Sequence, residues 1–206
     1  MTQARPYAGV DAADRLAGRR TRLLQAGLEL MGRSVMPSEL TVRGVCHEAG
    51  VATRYFYESF LDKDEFVGAV FDWVIAELAA TTEAAVATAL PADRNRAGLT
   101  NIVRSIERDP RLGRLLFGAQ VSNASVARKR QDSEAFFAML SGRHVGSVLQ
   151  RPANARINAV SHFVVGGVTQ TISAWLAGAV ELNSDELVDQ LTALVDAFGE
   201  PRLFRD

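Results

Sequence analysis

Seven candidate recognition side chains fall within the 23 residues TVRGVCHEAGVATRYFYESFLDK, positions 41–63: Thr41, Arg43, Thr53, Arg54, Tyr55, Tyr57 and Lys63. Their hydroxyls, guanidinium groups, phenols and ammonium suit recognition of phosphate oxygens and base edges rather than bond-making. Tyr57 offers a long rigid phenol to a phosphate. Lys63 stands where a helix N-terminus already favours an anion. Thr41 can cap a helix and touch a phosphate at once. These three would set affinity and its salt dependence. Arg54 and Tyr55 are the candidates for sequence readout, because a guanidinium can grip a guanine edge with two bonds. Arg43 and Thr53 face either role.

Such groups act together only if helices hold them. Thr41 starts a helix whose apolar face is Val42, Val45, Cys46 and Ala49, at the spacing of a 3.6-residue period. Gly50 follows at the point of a left-handed turn, which glycine enters without a Cβ penalty. A second helix is predicted from about Ala52 to Ser59, with Val51, Phe56 and Phe60 inward and Thr53, Arg54, Tyr55 and Tyr57 on other faces. The pattern is a helix-turn-helix, and its outward groups match a major groove. So short a reader needs two copies, which predicts a two-fold dimer on a palindromic site.

Residues 15–75 resemble the N-terminal domain of the TetR family of bacterial transcriptional regulators. The resemblance runs through RTRLLQAGLELM, TVRGVCHEAGV, RYFYESF and DKDEFV, with the spacing from Thr41 to Gly50, Tyr57, Phe60 and Lys63 kept. It implies that the residues named above touch operator DNA. It also implies an effector pocket among the middle helices, whose filling moves the readers and releases DNA. Phe117, Gln120, Phe136 and Trp175 are its candidates, with Phe137 and Met139 beside them. The last two helices would form a four-helix bundle across the dimer axis. Many relatives carry small residues where Arg54 and Tyr55 stand, so the resemblance leaves the operator sequence open.

The remaining chain reads as all-α, about nine helices in total. A solvated arm (1–14) precedes the DNA-binding unit (15–62) and a larger effector-binding and dimerisation unit (63–206). The first helix is expected from about Ala13 to Met31, burying Leu16, Leu23, Leu24, Leu28 and Met31. Gly32 to Glu39 connects it to the reader. Asp62 caps a long helix to about Leu90, striped with Phe66, Val67, Val70, Phe71, Val74, Ile75 and Leu78. Helices are expected at 93–107, 110–121, 123–149 with a break at Ser141-Gly142, 155–180 and 184–198. Asn183 and Glu186 have capping-box spacing. Gly166, Gly167, Ala174 and Gly178 would allow close approach of helices at the dimer surface.

Composition narrows the function classes. The chain carries 23 basic and 24 acidic residues, net charge −1, so the total does not advertise a nucleic-acid partner. Residues 15–63 hold eight basic and five acidic groups, a local excess of three. Cys46, the single cysteine, excludes an intramolecular disulfide and multi-cysteine metal sites, and its helix face marks it as a core residue. His47, His144 and His162 lack metal-ligand spacing. His47 is expected on the solvent side and His162 as a satisfied buried group. No nucleophile elbow or phosphate-cradling glycine loop is present, so no enzyme, metal or cofactor is expected.

The uncharged stretch 157–180 is long enough to span a bilayer, but seven polar residues interrupt it, which favours a buried helix over a membrane span. With no apolar leader at the N-terminus, a cytoplasmic location is expected. The reading is a ligand-responsive regulator, a repressor dimer on a palindromic operator, released by an apolar or amphipathic effector. The alternative is a helical module binding a small molecule or protein without DNA control. Activation and repression share such a reader.

Overall fold

The computed structural model describes residues 12–33, 40–118, 124–149 and 154–199. Among these it contains nine α-helices and no strand. They are α1 (Ala12–Met31), α2 (Val42–Glu48), α3 (Thr53–Tyr57), α4 (Lys63–Thr88), α5 (Arg94–Arg108), α6 (Pro110–Phe117), α7 (Ala124–Leu149), α8 (Ala155–Leu176) and α9 (Ser184–Ala197). A 3-10 turn, Pro91–Asp93, joins α4 to α5. The all-α class with an N-terminal three-helix helix-turn-helix unit is therefore the observed one.

Local chemistry sets the helix starts. The Asp62 carboxylate accepts from the Glu65 amide at 2.8 Å, and Glu65 reaches back to the Leu61 amide at 2.6 Å. Asn154 caps α8 through Ile157 N at 2.9 Å. Asn183 and Glu186 complete a reciprocal capping box on α9. Each such cap stabilises its helix by about 1 kcal/mol. At 26 residues α4 is roughly 39 Å long, enough to run from the reader into the body of the protein.

Two apolar clusters form the interior. One gathers Leu23 and Leu28 of α1, Val45 and Cys46 of α2, Phe56 of α3, Phe60, the first half of α4, Leu115 and Leu116 of α6, and Val126 of α7. The other joins Leu99, Val103 and Ile106 of α5 to Ile172 of α8 and Leu187, Val188 and Leu191 of α9. Arg96–Asp189 and Arg104–Asp185 ion pairs register α5 against α9.

Several expected boundaries move. Residues 12–14, assigned to the arm, are helical, and residues 1–11 lie outside the described residues, as do 34–39 of the α1–α2 connection. Leu16 is 41% exposed rather than buried, a turn ahead of Arg19 and Arg20, where α1 meets α3 and the turn after it. The second reader helix is only five residues long, Thr53–Tyr57. α6 stops at Phe117, where Gly118 leaves the helix.

No break occurs at Ser141-Gly142; α7 continues to Leu149. Gly142 is instead the site of close packing on α8, where a Cβ would come within 3.2 Å of Ser161 Oγ. α8 ends at Leu176 rather than 180, because Gly178, at φ +75°, turns the chain out of the helix. Gly178 is thus a helix stop. His162 is exposed, not buried.

Candidate nucleic-acid interface and effector cavity

The reader is built on a rigid back. Phe56, Phe60 and Phe66 are buried and stack with ring centroids 5.0–5.4 Å apart, in tilted and edge-on arrangements. Burying each contributes about 1.5–3 kcal/mol. Thr41 Oγ1 accepts from Gly44 N at 3.0 Å and fixes the start of α2. Gly50 lies at φ +63°, in the left-handed turn between α2 and α3. Cys46 is buried beneath, and desolvation pushes its thiol pKa up, which leaves the sulfur protonated and inert.

On the outer side, Thr41, Arg43, Thr53, Arg54, Tyr57 and Lys63 are all exposed. Tyr57 is 58% exposed and rests edge-on against Phe56 at 5.4 Å, so its phenol projects from a fixed base. Lys63 opens α4, and it and Arg43 form no ion pair with any described residue. Tyr55 differs from the expectation of a free reading group. It is half-buried, Arg19 of α1 lies over its ring at 4.3 Å, and its hydroxyl accepts from Arg54 Nη2 at 2.8 Å.

Residues that sequence reasoning counted only as charge hold the reader in place. Arg20 lies over the Phe60 ring at 4.4 Å and donates to Ser59 O at 2.7 Å. Arg19 pairs with Glu58 at 3.6 Å. The available signal was spacing: Arg20 precedes buried Leu23 and Leu24 by three and four residues, which sets it on the inner face of α1.

A second group ties α6 to the reader. Arg111 pairs with both Asp109 and Glu29 of α1, and Glu29 also accepts from Arg33 Nε at 3.0 Å. Arg33 reaches Glu48 of α2 at 3.5 Å. Arg114 donates to Gly32 O. The packing is tight enough that a Cβ on Gly32 would lie 2.4 Å from Arg111 Cβ. Arg111 holds the Asp109 and Glu29 carboxyls below the usual carboxylate range.

The same α6 walls a cavity of about 530 Å³ lined by residues of α4 to α9. Phe71, Leu78 and Val86 of α4, Leu99 and Ile102 of α5 and Val168 of α8 give it mostly apolar walls. Phe117 lines it as expected, and so does Phe137. Trp175 does not; its indole donates to Leu182 O at 2.8 Å and packs in the α5–α8–α9 cluster. Met139 is exposed and not part of the wall. Gln120 and the Phe136 side chain fall outside what is described.

Two cations of the wall were missed, Arg94 and Arg130. Arg130 donates to the carbonyls of Arg114, Leu115 and Gly118 that end α6, and burial lowers its pKa. Periodicity gave no warning, since an arginine within a helix reads as a solvated one. Among the described residues no cluster of His, Cys, Asp and Glu could hold a metal ion. No helix there is long and apolar enough to cross a membrane.

No protein-family model matches the chain, and no curated protein matches it. Solved structures do. A putative TetR-family transcriptional regulator from Rhodococcus sp. aligns with TM-score 0.72 at 14% identity, over 89% of this chain and 100% of that one. The fatty acid degradation regulator FadR from Bacillus halodurans aligns at 0.71 and 13% identity, over 89% and 96%. FadR from Bacillus subtilis, in complex with stearoyl-CoA, aligns at 0.66 and 13% identity, over 85% and 96%. This is the TetR-type fold.

Within the TetR-type fold, α1–α3 are the helix-turn-helix unit and α4–α9 the larger helical body. The helix-turn-helix unit and the cavity share supporting helices. α4 and α6 belong to both, since each packs into the reader's core and lines the cavity.

Proposed function

We propose that this chain is a ligand-responsive DNA-binding transcriptional regulator that represses from a palindromic operator as a homodimer. The observation that carries the reading is the pairing of an outward set of DNA-compatible groups with a cavity sharing its supporting helices. Arg43, Arg54, Tyr57 and Lys63 stand exposed on the reader, and α6 joins it to the cavity through Arg111 and Glu29. Residues 15–62 are the DNA-binding unit and residues 63–206 bind effector and dimerise, with α4 and α6 contributing to both cores.

Thr41, Tyr57 and Lys63 take phosphates; Arg54, positioned by Tyr55, reads a base edge, with Thr53 and Arg43 beside it. Dimerisation through α8 and α9 is supported by exposed Phe163, Leu176 and Leu194 and by open space around Gly166 and Gly167. Effector in the cavity favours a different tilt of α4 and α6, and differential affinity for the two tilts releases DNA. An apolar-tailed effector suits the cavity's walls, and the stearoyl-CoA of the Bacillus subtilis FadR structure is of that kind.

Selection of bound duplexes from a random DNA library at physiological salt tests the proposal. A palindrome is the expected product. A folded dimer that enriches nothing would favour the second reading, a small-molecule-binding module without DNA control, which the cavity alone would serve.

A further inference from the structure

Among the described residues, no side chain pairs with one cation of the cavity wall, Arg94. Arg94 is the first residue of α5, where the helix dipole is positive and already disfavours a cation. Its Nε is buried without a hydrogen-bond partner. The guanidinium forms no hydrogen bond or ion pair with any described residue, whereas the neighbouring Asn95 is committed to Asp196 at 2.7 Å. Glu83 lines the cavity too, yet does not pair with it. Arg130, by contrast, is saturated by α6 carbonyls.

The cavity's shape points the same way. Its α4 wall extends from Phe71 to Ala87, about 24 Å of helix. Arg94 stands where α4 gives way to α5, at the Ala87 end of this wall. Leu116, Phe117 and the saturated Arg130 belong to α6 and α7, which pack nearer the reader. An anionic group at Arg94 would satisfy the orphaned Nε–H, pair with the half-buried guanidinium and sit favourably at the α5 N-terminus. The rest of the ligand would lie on apolar wall.

We propose that the effector of the regulator described above is a linear amphiphile whose anionic head binds Arg94 and whose hydrocarbon tail lies along α4 toward Phe71. This rests on the effector reading but not on the operator. A carboxylate and the phosphates of an acyl conjugate present the same chemistry to the guanidinium, and the test separates them.

Calorimetric titration of the full chain, without DNA, compares tetradecanoate, tetradecanoyl-CoA and tetradecanol. At least one anion should bind about tenfold to a hundredfold more tightly than the alcohol, the span expected of a hydrogen bond to a charged group. Tetradecanoate in front identifies a free acid; the conjugate in front identifies its phosphates. Arg94→Gln should abolish the preference, and Arg94→Lys should keep part of it. Equal binding of acid, conjugate and alcohol by the unaltered protein would overturn the proposal. So would loss of the preference in Arg130→Gln with its retention in Arg94→Gln. Because no DNA is present, failure here leaves the duplex selection standing, and failure there leaves this result standing.

Discussion

Arg54 donates from Nη2 to the phenol oxygen of Tyr55 at 2.8 Å, while Arg19 of α1 lies over the same ring at 4.3 Å. The guanidinium proposed to read a base edge is thus tethered to a residue that is itself clamped to the first helix. Tethering removes rotamers that binding would otherwise have to freeze. Arg54→Ala should relax preference at one base pair per half-site, by about 1–3 kcal/mol of discrimination. Tyr55→Phe keeps the guanidinium and cuts only the tether, so it should lose a smaller part of the same preference. Competition binding on operator and scrambled duplexes reads this out; equal losses on both would remove Arg54 from the readout.

Tyr57 and Lys63 should behave differently from Arg54 and from each other. Both substitutions, Tyr57→Phe and Lys63→Ala, should weaken binding to all sequences alike. Only Lys63→Ala removes a charge, so only it should flatten the dependence of log K on log salt, by about 0.9 for each phosphate no longer neutralised. A flattened slope with Tyr57→Phe would show that the phenol does not act through a neutral hydrogen bond.

The Glu29–Arg111 pair carries a pH signature. Arg111, and then Arg33, lower the folded-state pKa of Glu29 below its unfolded value. Its contribution is therefore present above the ordinary carboxylate range and lost as pH falls through the folded pKa. Glu29→Gln should lower the urea midpoint near neutrality, and the gap from the unaltered protein should close in acid. Asp109 still holds Arg111 in this variant, which keeps α6 folded. The same substitution should blunt effector-driven release of DNA. A gap that stays constant with pH would rule out the ion pair as its cause.

Gly50 isolates a backbone effect. A Cβ there would meet nothing within 4 Å, so only its φ of +63° opposes substitution. Gly50→Ala should destabilise by about 1–2 kcal/mol, and Gly50→Asn by less, because asparagine tolerates this conformation. Denaturant unfolding of the two variants checks the order.

Phe163 tests the proposed dimer surface. It is 63% exposed on α8 and touches Phe198 just beyond α9, with ring centroids 5.0 Å apart. Phe163→Glu should yield a monomer in sedimentation analysis, with helix content unchanged and operator affinity sharply reduced.

The reader was legible in the sequence because its determinants are short-range. A cap at Thr41, a left-handed glycine at Gly50 and aromatic residues at helical spacing each act within one or two turns. Elsewhere the determinants are tertiary. Gly142 read as a helix break and is a packing point, because a glycine at which α8 draws close looks, in one dimension, like one at which a helix stops. Trp175 read as a ligand contact, yet a carbonyl seven residues away engages it. Arg19 and Arg20 were counted only as local charge, and nothing in the sequence marked Arg94 or Arg130 as part of a cavity wall.

The apolar cluster beneath the reader does not stop at Asp62. Phe66, Val70, Phe71 and Leu78 of α4, Leu115 and Leu116 of α6, and Val126 of α7 belong to the same cluster as Leu23 and Phe56. The reader accordingly shares its interior with α4, α6 and α7, and an excised fragment ending at residue 62 would leave part of its aromatic cluster wet. Hydrogen exchange in α2 and α3 should then follow global unfolding instead of a separate, cheaper opening. Transplanting the proposed DNA specificity onto another protein of this fold demands a seam that carries α4 through Leu78 and brings along the faces of α6 and α7 that cover it.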